Sequence, residues 1–192
     1  MNTKVDRNIE HYVRIYNDFL SPEDCKTVIS ELENDEVKYE KHRYHNETHK
    51  EFSQNPNELS VCYIETETKK MLMKKMWHAI MKYQKDLGYS WFQAWSGYSD
   101  VRFNKYEPGE EMRLHCDHIH TMFDGTRRGI PTLSIVGVIN DDYEGGEFIM
   151  WKDKKLDLKS GDILFFPSNF MYPHLVKPVK KGIRYSYVSW VY

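Results

Sequence analysis

From residue 97 onward, apolar and polar positions alternate with period two. Six stretches fit buried or half-buried strands: 99–106, 112–117, 131–139, 146–151, 162–166 and 183–191. Turn chemistry separates them, at Glu107-Pro108-Gly109, Asp124-Gly125, Glu144-Gly145-Gly146 and Ser160-Gly161-Asp162. Before residue 97 the rhythm is different. Residues 10–20 alternate well enough for one short strand. Ser21-Pro22-Glu23-Asp24 then reads as a helix start, with Ser at the N-cap, Pro at the first helical position and an acid two residues on. That helix should reach about Asn34. Residues 38–57 are polar and read as an irregular loop. Leu72, Met76, Ile80 and Tyr83 recur at helical spacing within Glu67–Leu87, with Gly88 as the stop and Lys69, Lys70, Lys74 and Lys75 as a wet face. The expected fold class is mainly β with flanking helices, a jelly-roll core buttressed by two N-terminal helices.

Composition decides whether such a core can close. The 192-residue chain is only 40% apolar, yet 14 Tyr, 9 Phe and 5 Trp supply large buried areas. One domain is expected over 1–192, divided into a helical support region (1–96) and a strand-rich core (97–192). No apolar run is long enough to span a bilayer, and the first twenty residues lack the apolar stretch of a signal peptide. The net charge of −2 excludes a bulk polycation, and no basic stripe extends beyond Lys177, Lys180 and Lys181, which disfavours a nucleic-acid partner. Cys25, Cys62 and Cys116 are too widely spaced for a disulfide framework or zinc knuckle. A cytoplasmic, reducing setting with no membrane partner is the expectation.

The chemistry concentrates in two segments. In Arg113-Leu114-His115-Cys116-Asp117, strand geometry turns His115 and Asp117 to one side and Cys116 to the other. Two ligands hold a catalytic metal poorly. His174, in Tyr172-Pro173-His174 after the apolar run DILFFP, supplies the third. Two imidazoles and one carboxylate leave three octahedral positions open, the facial triad of non-haem Fe(II) oxygenases. On the last strand Arg184, Ser186, Val188 and Trp190 share a face, and a buried guanidinium beside a hydroxyl makes a socket for a carboxylate. Each feature alone has a bland reading: a chance triplet, a turn histidine, a surface arginine. Their order on predicted strands makes the combination specific. By contrast, His42, His45 and His49 lack an acid or Cys to complete a site and read as a solvated loop. His118 and His120 read as loop residues near the pocket mouth, and Arg127 and Arg128 as either a substrate contact or a solvated turn.

With these residues in hand, the sequence resembles the Fe(II)- and 2-oxoglutarate-dependent dioxygenases, particularly the prolyl 4-hydroxylase-like branch. NDFLSPEDC, YEPGEEMRLHCD, GVINDDYEGGEF and LKSGDILFFPSNFMYPHLVKPVKKGIRYSYVSWV carry the resemblance, which covers most of the chain. It implies a double-stranded β-helix, with His115, Asp117 and His174 as Fe(II) ligands and Arg184 paired with the distal carboxylate of 2-oxoglutarate. It also implies Tyr106 as a hydrogen-bonding phenol for that co-substrate, Ser186 as the partner of Arg184, and Trp190 as an aromatic beside the metal. O₂ would be consumed, with ascorbate as a further expected cofactor. The implied substrate is a prolyl residue in a peptide or protein. A 2-oxoglutarate oxygenase acting on a free amino acid or other small molecule, and a non-catalytic cupin-like binding module, are the alternatives. Unlike some prolyl hydroxylases, this chain has no second tyrosine on the strand Ser134-Ile135-Val136-Gly137-Val138.

Overall fold

Helix α1 (Pro22–Leu32) begins where its capping chemistry requires. Ser21 Oγ accepts from the Asp24 amide at 3.1 Å, while the Asp24 carboxylate accepts from the Ser21 amide at 3.3 Å. Helix α2 (Glu67–Leu87) starts on Thr66 and stops at Gly88, whose φ of 67° lies in the left-handed region. The structure is a computed structural model; it describes residues 8–46, 51–53, 56–89, 95–117 and 131–192, with only the backbone at 44–46 and 51–53.

The strands of the first half are β1 (Arg14–Tyr16), β2 (Glu40–Lys41), β3 (Tyr44–Asn46), β4 (Glu51–Ser53) and β5 (Ser60–Cys62). Those of the second half begin with β6 (Arg102–Tyr106), β7 (Met112–His115), β8 (Leu133–Val138), β9 (Glu144–Gly145) and β10 (Phe148–Met150). They end with β11 (Lys154–Lys155), β12 (Ile163–Pro167), β13 (His174–Val176), β14 (Val179–Lys181) and β15 (Arg184–Val191). A seven-stranded sheet runs β1-β12-β8-β15-β6-β5-β2, and a four-stranded sheet runs β11-β10-β13-β7. The described pairings within both are antiparallel.

Period two explains how these layers stack. Along β12, Ile163 and Phe165 join the cluster containing Val28 and Leu32 of α1 and Leu72, Met76 and Tyr83 of α2. Leu164 and Phe166 point the other way, into a cluster with Phe148, Met150 and Val176 of the four-stranded sheet. The large sheet is therefore apolar on both faces, one covered by helices and one by the second sheet. Tyr83 stacks on Phe165 with centroids 5.5 Å apart, so aromatic area does much of the closing.

The structure departs from the sequence expectations in three places. Residues 10–20 hold only the three-residue β1, preceded by a short 3₁₀ turn at Ile9–Tyr12 that Asn8 caps. The segment 38–57 contains edge strands rather than loop alone; β2 is a charged Glu-Lys pair exposed on both residues, so hydropathy carries no sign of it. Lys69 is not part of a wet face. It is buried, with Nζ 2.6 Å from Asp100 Oδ2 and a second contact to Glu65. Among the described residues no helix is long and apolar enough to cross a membrane.

Candidate active site

Cross-strand register assembles the site. In the small sheet, β13 pairs with β7 so that His174 lies directly opposite His115. Asp117 follows β7 by two residues. Ligand atoms of these three side chains all lie within 4.8 Å of one another. In the large sheet, β15 pairs with β6 so that Arg184 opposes Tyr106 and Ser186 opposes Asn104. The structure thus brings all seven candidate residues, His115, Asp117, His174, Tyr106, Arg184, Ser186 and Trp190, to the wall of one pocket. Arg102 and Asn104 line it too.

The imidazoles are oriented before any metal arrives. His115 Nδ1 is 2.7 Å from the Arg113 carbonyl oxygen, and His174 Nδ1 is 3.1 Å from that of Tyr172. A carbonyl only accepts, so both Nδ1 atoms carry a proton, and each Nε2 presents its lone pair when the ring is neutral. These Nε2 atoms face the same carboxylate oxygen, Asp117 Oδ1, at 3.4 and 3.7 Å. Phe148 stacks on the His174 ring at 5.2 Å, and Phe166 meets it edge-on at 4.8 Å. His174 has little rotational freedom.

The electrostatics suit a cation. Burial pushes the His174 imidazole down to about 4, so it is neutral at pH 7. Burial alone would raise the Asp117 carboxyl, but the neighbouring His174 and His115 rings and the hydrogen bond from Ser134 outweigh it and hold it well below the usual carboxylate range. Burial likewise presses His115 down, and its contact with Asp117 lifts it above the ordinary histidine value. An ionised carboxylate between two oriented imidazole lone pairs is a donor set that fits a divalent transition metal.

Arg184 is built for an anion. It is 1% exposed, its Nη1 donates to Ser186 Oγ at 2.9 Å, and its guanidinium lies 4.9 Å from the Tyr106 ring centre. Its Nε is buried with no hydrogen-bond partner among the described residues. A buried cation with an unused donor costs free energy unless an anion occupies the site. Ser186 accepts from Arg184, which leaves its own proton to donate. Burial raises the Tyr106 phenol, so it remains a hydrogen-bond donor at neutral pH.

The segment 137–148 explains how Arg184 is aimed. Asn140 Nδ2 donates to the Ile183 carbonyl at 2.7 Å, and its Oδ1 accepts from the Tyr185 amide at 2.7 Å. One amide side chain thus brackets Arg184 on both sides. Gly146, at φ 64°, leaves room for the arginine stem; a Cβ there would meet Arg184 Cδ at 3.0 Å. Neither role was assigned from the sequence, where Asn140 and Gly146 appeared only within a turn-like motif. Phe148 was missed because an apolar strand residue announces packing, not a ligand's ring.

His42 is not a member of the His115-Asp117-His174 cluster; its Nδ1 lies 3.7 Å from Glu58 Oε2. The side chains of His45 and His49 lie outside the described residues, as do His118, His120, Arg127 and Arg128. Cys116 turns from the triad, with Sγ 3.6 Å from the Phe170 carbonyl oxygen.

Comparison with known proteins agrees with this geometry. Residues 101–192 match the 2OG-Fe(II) oxygenase superfamily. A PKHD-type hydroxylase of Idiomarina loihiensis is 35% identical over 95 residues, 47% of this chain and 41% of that protein. Another, from Synechococcus elongatus, is 34% identical over 94 residues, 46% of this chain and 41% of that protein. The chain thus spans about two fifths of the length of these relatives. Among solved structures, a Pseudomonas putida prolyl-4-hydroxylase superposes with a TM-score of 0.68 at 17% identity, covering 94% of this chain and 91% of that one. A viral collagen prolyl hydroxylase from Paramecium Bursaria Chlorella virus-1, in its 2OG complex, gives 0.68 at 15% identity and 94% coverage of both. A Trichoplax adhaerens prolyl hydroxylase bound to a hypoxia inducible factor peptide fragment gives 0.69 at 17%, covering 94% of this chain and 83% of that one. At these identities the superpositions speak for the fold. They show a double-stranded β-helix fold, and within it residues 101–192 are similar to the 2OG-Fe(II) oxygenase superfamily.

Proposed function

We propose that the chain is an Fe(II)- and 2-oxoglutarate-dependent hydroxylase acting on a prolyl residue of a peptide or protein. The observation that carries this reading is the pairing, in one pocket, of an oriented His-Asp-His cluster with a buried arginine whose Nε has no partner among the described residues. A cupin-like binding module would have no need of that arginine. The prolyl assignment draws on the relatives named as hydroxylases and on the fold-level likeness to prolyl hydroxylases.

His115 Nε2, Asp117 Oδ1 and His174 Nε2 would hold Fe(II). Bound there with 2-oxoglutarate, the metal supplies the oxidising chemistry that couples decarboxylation of the co-substrate to hydroxylation. Arg184 would bind the distal carboxylate of 2-oxoglutarate through its free Nε–H, with Ser186 and Tyr106 donating beside it. Val136, Val176 and Val188 on the pocket wall keep water from that ion pair, which strengthens it. No side chain needs to act as a general base, because the substrate C–H is not removed as a proton. Ascorbate is proposed as the reductant that keeps the iron ferrous, and a peptide as the partner.

Succinate formation against peptides containing Pro, Lys, Asn or His, with free amino acids alongside, tests the substrate. Stimulation by the prolyl peptide alone is the expected outcome. Stimulation by a free amino acid and by no peptide would replace the substrate assignment. Arg184→Ala is expected to raise the 2-oxoglutarate requirement roughly 10- to 100-fold, the equivalent of losing one charge-assisted hydrogen bond at about 1.5–3 kcal/mol. The Fe(II) requirement should stay near that of the unsubstituted chain. Equal effects on both would contradict the anion-binding role.

A further inference from the structure

The carboxylate of Asp117 is held by its outer oxygen as tightly as the histidines are held by Nδ1. Ser134 Oγ donates to Asp117 Oδ2 at 2.5 Å, and Trp190 Nε1 donates to the same atom at 3.0 Å. Ser134 Oγ is also 2.7 Å from Ser168 Oγ. The direction of this second bond follows from the first. An ionised carboxylate only accepts, so the single Ser134 proton goes to Asp117, and Ser168 must donate to Ser134.

Register makes the convergence specific. Ser134 opposes Trp190 across the β8–β15 ladder, so both donors arise from one cross-strand pair of the large sheet. Asp117 follows β7 of the other sheet. Ser134 is 1% exposed in the strand LSIVGV, among apolar residues, where an unbonded hydroxyl would be costly. Packing alone would favour Ala or Val at that point.

We propose that Ser134, itself supported by Ser168, is a positioning residue for the metal centre. Together with Trp190 it occupies the lone pairs of Asp117 Oδ2, so the carboxylate can ligate through Oδ1 alone. Ligation through one oxygen keeps a coordination position open that a bidentate carboxylate would take. The inference rests on the triad reading above.

The test uses Mn(II), whose free ion is counted by its electron paramagnetic resonance signal. It adds the visible absorption of the anaerobic protein with Fe(II) and 2-oxoglutarate. Ser134→Ala should weaken Mn(II) binding by about 10- to 100-fold, the usual range for loss of a group that orients a ligand. It should also shift or weaken the visible band. Ser134→Thr, which keeps the hydroxyl, should bind like the unsubstituted chain. Ser168→Ala should show a smaller loss, and Ser134→Ala/Ser168→Ala together should be no worse than Ser134→Ala, because Ser168 acts through Ser134. A folded Ser134→Ala chain with unchanged Mn(II) affinity and an unchanged band would overturn the proposal. So would additive losses in the double variant. If Ser134→Ala does not fold, Ser168→Ala decides: an affinity equal to that of the unsubstituted chain overturns the relay. Failure of the unsubstituted chain to bind Mn(II) would instead sink the triad assignment itself.

Discussion

His174→Ala is expected to reduce 2-oxoglutarate turnover to the level of free Fe(II) in buffer. The imidazole is one of only two nitrogen donors in the cluster, and its neighbours leave no substitute. Its Nδ1–H is committed to the Tyr172 carbonyl, and its ring is fixed between Phe148 and Phe166. A water filling the space left by Ala would meet these two apolar rings, so it could not be held where Nε2 stood. The remaining pair, His115 and Asp117, offers two ligands, too few to hold a metal with the needed order. Thermal unfolding should show the variant folded, because the ring is peripheral to the helix-facing core. Succinate production by a folded His174→Ala chain at the original rate would remove this residue from the metal site.

Gly137→Ala is expected to give the largest loss of stability. Gly137 lies opposite Tyr187 in the β8–β15 ladder, and the Tyr187 ring crosses the place a side chain would occupy. A Cβ built there falls 1.9 Å from Tyr187 Cζ, far inside contact distance. Tyr187 is fully buried against the helical layer and has no room to retreat. Overpacking of this kind costs about 3 kcal/mol, and for a chain of this size the melting midpoint should fall by about 6–12 °C. Denaturant titration checks the first figure and calorimetry the second. Removing the ring as well, in Gly137→Ala/Tyr187→Ala, should make the two losses strongly non-additive. Additive losses would mean that the ring and the glycine are not in contact in solution.

Much of the fold was legible because burial imposes periodicity. The strands at 102–106, 133–138, 163–167 and 184–191 alternate between two apolar layers, and that alternation is written in the residues themselves. Helix boundaries were legible for a local reason: Ser21, Pro22, Asp24 and Gly88 act on backbone groups within a few positions. Elements lacking either signal escaped. β13 is three residues long and flanked by prolines at 173 and 178; its pairing with β7 and β10 makes it a strand. β2 is held by backbone bonds to β5 and needs no apolar face.

The same division runs through the site. Spacing along single strands placed His115 beside Asp117, and Arg184 beside Ser186 and Trp190, because side chains two apart on a strand share a face. It could not join the two groups, nor bring His174 opposite His115 or Tyr106 opposite Arg184. Those are matters of register between strands far apart in the chain, set by how two sheets and two helices bury their apolar faces together. Ser134 and Asn140 were invisible for the same reason. A serine in an apolar run and an asparagine before a turn have many ordinary uses, and only neighbours 17 and 45 residues away give them these. Local chemistry chose the ligand types and the strands that bear them. Tertiary packing chose which of them meet, because contact between distant segments depends on the whole core closing at once.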